Sequence, residues 1–267
     1  MLNKAKLKNK SDANRLFDAQ IRLLIDQNRF NDALSICSER LSQNSKDVFA
    51  LNLRGIIHSQ QSNRVAARQD FEKAIALNPH WPAPHANMAR LFLSKGDVQN
   101  AILSFESALQ LNAAEINVYR DLARIYNVQK NYPKVIRVYE KALAVHPKMW
   151  TVANDLAFYL AEYSSRPEDL KRALALIRRA RFHAPFNPNV EDTLAWIFYK
   201  QGHLKKARDT LEIVLNHHPD NPIFNYHMGT ILEESGMRSA AWKKPYLVLV
   251  SKKKLLKDNM PNHCRID

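Results

Sequence analysis

Residues 48–81 read VFALNLRGIIHSQQSNRVAARQDFEKAIALNPHW, and the 34 residues that follow, 82–115, read PAPHANMARLFLSKGDVQNAILSFESALQLNAAE. Counted from Val48, Gly55 falls at position 8, Ala67 at 20, Phe71 at 24, Ala74 at 27 and Pro79 at 32. A step of 34 puts Ala89, Ala101, Phe105, Ala108 and Ala113 in the same slots. A second step puts Ala123, Val135, Tyr139, Ala142 and Pro147 there. From Pro188 the slots hold Ala195, Ala207, Leu211, Val214 and Pro219, and Gly229 and Ala241 continue the register. A divergent unit from Asn14 carries Ile21, Ala33 and Cys37. Recurrence at a fixed period of this size marks stacked units, each too small to bury its apolar face alone.

The pattern resembles the tetratricopeptide repeat (TPR) family, whose signature is a small residue at 8, Ala at 20, an aromatic at 24, Ala at 27 and Pro at 32. The resemblance covers seven units, 14–47, 48–81, 82–115, 116–149, 150–187, 188–221 and 222–255, between basic segments at 1–13 and 256–267. It implies an all-α fold, a right-handed superhelical solenoid of helix-turn-helix pairs with the first helix of each pair lining the concave face. Small residues at 8 and 20 let two helices approach closely, and the residue at 24 fills the gap toward the next unit.

Local signals agree. Pro82, Pro188 and Pro222 stand at position 1, where a helix has no use for the missing N–H. Gly96, Gly202 and Gly236 all stand at position 15, the turn between the helices, where a left-handed residue caps the first one. The fifth unit has four extra residues around Ser164–Asp169, and Ser165-Arg166-Pro167-Glu168 reads as a capping box that starts its second helix. Pro245 occupies the last unit's position 24, which predicts a break near Lys244 followed by a cap helix over Tyr246–Lys257.

Composition fits. Only five of 267 residues are Gly, and Gly in a helix interior costs about 0.8–1.0 kcal/mol relative to Ala. The two cysteines, Cys37 and Cys264, cannot build a disulfide framework and suit a reduced compartment; Cys37, at a core slot, reads as a buried small hydrophobe. The opening MLNKAKLKNK lacks the apolar stretch of a secretory signal. No run approaches the roughly 18–20 apolar residues of a spanning helix. The expectation is a cytoplasmic protein, or a periplasmic one if the chain was cut from a longer precursor. The net charge is +14, but residues 1–11 hold +4 of it and residues 236–267 hold +6, so the body is close to balanced. A long electrostatic track for nucleic acid is therefore disfavoured.

In the family, positions 2, 5, 6, 9, 12 and 13 point into the groove. The resemblance therefore implies a peptide-binding surface in two zones: Asn87, Arg90, Arg120, Asp121, Arg124 and Asn127, then Asn154, Asp155, Phe158, Trp196, Tyr199 and Tyr226. Arg forks suit carboxylates and Asn amides suit an extended backbone, so an acidic segment is expected near Arg90, Arg120 and Arg124 and an apolar one near Phe158 and Trp196. The set by which some members clamp a chaperone's terminal carboxylate does not occur in any three consecutive units.

No phosphate-cradling glycine loop, C-x-x-C or G-x-S-x-G is present, and His217-His218 has no further ligand at zinc spacing. No catalytic, cofactor-binding or metal-ligating residue is assigned. The reading is a non-enzymatic scaffold for a protein or peptide partner, of unassigned oligomeric state. Its alternatives are RNA or anionic membrane association through the basic tails, or an accessory role in an export or polysaccharide system. That last alternative rests on DTLAWIFYKQGHLKKA and HPDNPIFNYHMG, which are similar to the last repeats of bacterial TPR proteins of such systems.

Overall fold

The computed structural model describes residues 10–237. Among them the chain forms thirteen helices and no strand. In order these are α1 (Lys10–Asp26), α2 (Phe30–Gln43), α3 (Val48–Gln60), α4 (Arg64–Leu77), α5 (Pro82–Ser94), α6 (Val98–Leu111) and α7 (Ile116–Val128), then α8 (Tyr132–Val145), α9 (Trp150–Tyr163), α10 (Pro167–His183), α11 (Pro188–Lys200), α12 (Leu204–His217) and α13 (Pro222–Glu234). First helices of successive pairs start at Val48, Pro82, Ile116, Trp150, Pro188 and Pro222, so the sequence period returns as a period of helix pairs. α1 begins at Lys10, inside the stretch read as a basic extension. Pro245, the helix expected over Tyr246–Lys257 and the tail 256–267 lie outside the described residues.

Helix starts follow from local chemistry. The Asp47, Asn187 and Asn221 side chains each accept two backbone N–H groups of the first turn behind them. Pro188 and Pro222 then supply a helical φ at the first position.

The chain divides into two compact units between Val118 and Tyr119, inside α7. In the first unit each helix from α1 to α6 packs on the next, and α3 also packs on α1 and α5. In the second, α8 to α13 pack serially in the same way, and α11 also packs on α9 and α13. This is the layering of an all-α solenoid.

The core sits at the signature slots. Position 24 holds Cys37, Phe71, Phe105, Tyr139, Ile177 and Leu211, all at most 1% exposed. Phe71 clusters with Met88 and Leu91 of the next pair. It also lies over Gly55 of its own pair, where a Cβ would stand 2.5 Å from Cε1 of the ring. The ring therefore fills space on both sides, not only toward the next unit. Burial pushes the Cys37 thiol up to about 12, as for a small hydrophobe in a core. Arg40 replaces the usual Ala at position 27; it bonds Asp47 at 2.7 Å and Asn14 at 2.5 Å, and its guanidinium lies 4.2 Å over Phe17.

Position 15 is left-handed in six repeats. Gly96, Gly202 and Gly236 have φ of +76°, +78° and +70°, and Asn28, Ser62 and Lys130 have +56°, +61° and +55°. The fifth repeat leaves this pattern. Ser164 there is extended, and the capping box expected at Ser165 does not form: α10 starts at Pro167 behind Arg166, which makes no side-chain cap. Asp169 organises the turn instead. Its carboxylate, 1% exposed, accepts from Ser164 Oγ, from Arg166 at 2.8 and 3.1 Å, and from Arg172 at 2.8 Å. Burial opposes ionisation of this carboxyl, but the hydrogen bonds from Ser164, Arg166 and Arg172 outweigh it and hold the pKa below the ordinary value.

Two stability predictions follow from these turns. A side chain in the left-handed region costs about 1–2 kcal/mol, so Ser62→Gly and Lys130→Gly each raise the thermal unfolding midpoint, by about 2–4 °C per kcal/mol gained. Gly202→Ala lowers it, and circular dichroism melts read all three. For Asp169 the folded pKa lies below the unfolded one. Its contribution is therefore complete above the unfolded value of about 4 and fades as the pH falls through the folded value. Asp169→Asn is expected to lower stability at neutral pH by about 2–3 kcal/mol and to flatten the acid limb of a melt series. Equal acid limbs in the two proteins would refute this role.

Candidate peptide-binding surface

Residues three and four apart share a helix face, so positions 2, 5, 6, 9, 12 and 13 gather on one side of each first helix. Four side-chain hydrogen bonds tie that side from one repeat to the next, each between residues 32 to 35 apart. In the first unit Asn87 Nδ2 donates to Asn52 Oδ1 at 2.9 Å, joining α5 to α3. In the second, Tyr159 donates to Asn127 Oδ1 at 2.8 Å, joining α9 to α7. Trp196 Nε1 donates to Glu162 Oε2 at 2.9 Å, joining α11 to α9. His227 Nδ1 meets Asp192 Oδ1 at 2.8 Å, joining α13 to α11, with both residues buried.

The twelve residues picked from the sequence fall unevenly on this framework. Asn87 and Arg90 belong to the first unit and the rest to the second. Arg90 is exposed, donates to Asn87 Oδ1 at 2.9 Å and lies 5.9 Å from the Phe105 ring. On α7, Arg124 is exposed and stands 3.7 Å from Asp121. Arg120 is half-buried and enters no ion pair among the described residues. Asn127 is the acceptor for Tyr159.

On α9, Asn154 and Asp155 are buried side by side at 3.4 Å, and Asn154 Oδ1 finds no hydrogen-bond partner among the described residues. Phe158, Trp196 and Tyr226 are buried as well, interlocked rather than open to solvent. The His227 ring stacks on Trp196 at 4.1 Å, with Tyr226 at 5.8 Å and Phe158 at 6.4 Å. Tyr199 is half-exposed, 4.8 Å from Trp196. Burial and the nearby Glu234 and Glu162 raise its phenol pKa, so it stays a neutral hydrogen-bonding group at physiological pH. A second stack, Tyr132 on Tyr163 at 3.6 Å, extends the aromatic surface toward α8.

Sequence reasoning passed over Glu162, Asp192, Lys200 and His227. They stand at positions 13, 5, 13 and 6 of their repeats, so the slot rule reaches all four. What identifies them is pairing across one period. Glu162 accepts from Trp196 and also from Lys200 Nζ at 2.7 Å, while Lys200 lies 5.3 Å over the Trp196 ring. His217 and His218 are exposed at the end of α12, where His218 meets Phe224 edge-on at 6.3 Å. The arrangement is a buried ring cluster with fixed orientation, edged by one ion pair and by the half-exposed Tyr199.

The sequence models of the tetratricopeptide repeat match residues 85–115 and 193–221, which hold α5 with α6 and α11 with α12. No curated protein matches the chain in sequence. Solved structures do match in fold. The C-terminal part of a TPR repeat-containing protein from Cytophaga hutchinsonii is 14% identical, with 92% of this chain and 96% of that one covered and a TM-score of 0.63. PilF of Pseudomonas aeruginosa is 17% identical over 81% of this chain and 96% of its own, with a TM-score of 0.56. YrrB, described as a TPR protein with an unusual peptide-binding site, is 14% identical over 70% of this chain and 95% of its own, also at 0.56. Among the described residues no helix is long and apolar enough to cross a membrane. With two matched repeats, paired helices in a 34-residue period and these neighbours in fold, the chain carries tetratricopeptide repeats in an all-α solenoid, built of the helix pairs that serve generally as protein–protein interaction scaffolds.

Proposed function

We propose that the first-helix face of the second unit holds an extended peptide segment of a protein partner, and that the chain acts as a scaffold without a catalytic role. An apolar side chain of the peptide packs against the half-exposed Tyr199, which leans on the buried Trp196–His227 stack, and its acidic residues meet Arg120 and Arg124 on α7. One observation carries the reading: the Trp196–His227 stack is pinned from both sides, by Glu162 of the preceding repeat and by Asp192 behind the histidine. Rings fixed before binding cost little ordering entropy when a ligand arrives. Trp, Tyr and Arg are also the residue types that dominate measured binding hot spots.

The test is selection of a random peptide library displayed on phage against the purified chain, with each selected peptide's Kd measured by fluorescence anisotropy. Selected sequences are expected to pair an aromatic or aliphatic anchor with Asp or Glu. Tyr199→Ala weakens them by about tenfold or more, the loss typical of a hot-spot residue, with the helical signal unchanged. Arg120→Glu with Arg124→Glu reselects peptides carrying Lys or Arg in place of the acids. Peptides that bind both variants with unchanged Kd would place the interaction elsewhere and sink the proposal.

A further inference from the structure

The two most exposed phenylalanines among the described residues stand at one end of one repeat. Phe182, in the last turn of α10, is 82% exposed, and Phe186, in the turn to α11, is 87% exposed. Neither belongs to an apolar cluster of the core. The ring neighbour of Phe182 is His183, edge-on at 5.3 Å. Phe186 has φ of +61°, a backbone state that bulky residues rarely adopt. Pro185 before it and the Asn187 cap with Pro188 after it fix the turn on either side. At the corresponding slots other repeats carry small or polar residues, such as Ala76 and His80, or Asn216 and Asp220. Repeat packing therefore does not ask for phenylalanine at either place.

Charge around the pair has one sign. From Lys171 to Val190 the chain holds five Lys and Arg residues and no acid. The acids that face this segment are already taken. Glu140 binds Arg172 at 2.6 Å, Asp169 binds Arg166 and Arg172, and Glu191 binds Arg181 at 2.6 Å. Lys171, Arg178 and Arg179 remain exposed and have no ion-pair partner among the described residues. Lys171, Ala175, Arg178 and Phe182 recur at helical spacing along one exposed face of α10, so cations and ring share a side. The groove between α8 and α10, floored by Leu143, Leu156 and Leu176 and edged by Arg172 and Arg179, includes neither phenylalanine.

We propose that Phe182 and Phe186, backed by Lys171, Arg178 and Arg179, form a docking tip for the surface of an anionic lipid bilayer. Rings that protrude and stand apart from the α8–α10 groove suit a bilayer, which admits an apolar side chain with no shape-matched cavity, whereas a protein partner has to supply one. Unpaired arginines one turn behind the rings sit at the level of lipid headgroups when the rings enter the acyl boundary. The tip does not depend on the peptide surface.

Co-sedimentation of the full chain with vesicles of phosphatidylcholine alone, and of phosphatidylcholine with phosphatidylglycerol, tests the proposal. Binding is expected only to the anionic vesicles. Phe182→Ser with Phe186→Ser lowers the partition coefficient by about tenfold or more. Arg178→Glu with Arg179→Glu lowers it comparably, at about fivefold per cation. All of these proteins keep the basic C-terminal segment, so binding driven by that segment survives in every variant and overturns the proposal. A second readout uses Phe182→Cys in a Cys264→Ser background, labelled with an environment-sensitive fluorophore, Cys37 being buried and free. Its emission shifts to the blue on anionic vesicles if the tip inserts, while a label at the exposed Val65 does not shift. No vesicle binding by the wild-type chain, an unshifted label at 182, or a photo-crosslinker at 182 that captures a protein instead of lipid would each overturn it.

Discussion

At Gly55 the helices of one repeat run so close that an added Cβ would meet the Phe71 ring at 2.5 Å, and the same meeting of a small residue with a large buried one recurs down the chain. Ala89 and Phe105, Ala123 and Tyr139, and Ala195 and Leu211 occupy the same slots, all nearly or fully buried. Helices of 13 or 14 residues, as most of these are, are marginal on their own in water. What holds them is the large or apolar side chain that each second helix buries at position 24, an aromatic ring at Phe71, Phe105 and Tyr139 and a smaller group at Cys37, Ile177 and Leu211. Every other feature of the molecule is set on helices spaced by that contact.

Fixed spacing is what allows a polar rung at four steps of the first-helix face. Asn52 with Asn87, Asn127 with Tyr159, Glu162 with Trp196, and Asp192 with His227 all span about one period. A side-chain pair of that separation needs its two backbones at a constant distance, and the core slots supply it. The rungs in turn decide which rings can serve a ligand. Trp196 and His227 are aligned because each is held from behind, whereas Phe182 and Phe186 protrude, with the ring of His183 beside Phe182. Two kinds of aromatic cluster thus coexist, one ordered and buried up to Tyr199 at its edge, the other protruding.

Steric constraints were legible in the sequence and reciprocal ones were not. Small and large residues at positions 8, 20 and 24 each report their own environment, so Ala67 or Phe105 could be placed one at a time. The left-handed turn was visible at Gly96, Gly202 and Gly236, where the residue type announces it. It was invisible at Asn28, Ser62 and Lys130, which adopt the same φ only because the flanking helices impose it. Ser165 read as a cap by spacing, yet the buried carboxylate of Asp169 draws Ser164 and Arg166 to itself and the helix starts without the box. Glu162 has no meaning until Trp196 is known to lie beside it. On the peptide face the slot rule reached the right side of each helix, but burial separated Phe158, inside the cluster, from Tyr199 at its edge.

A repeat built this way leaves function to residues that the stack does not require. The signature slots cannot change without moving a neighbour, so they carry no information about a partner. The remaining positions are free to differ between repeats, and in this chain the differences concentrate in the fifth and sixth. There the loop is longer by four residues, the Asp169 hub replaces the left-handed turn, and the first-helix face carries its interlocked rings. Phenylalanine also stands where other repeats have alanine, histidine or asparagine. Exposing a large ring to water, and holding one at positive φ, both work against folding. A feature that the stack neither needs nor gains from is best explained by what it meets outside the chain, and at α10 that reasoning points outward through Phe182 and Phe186.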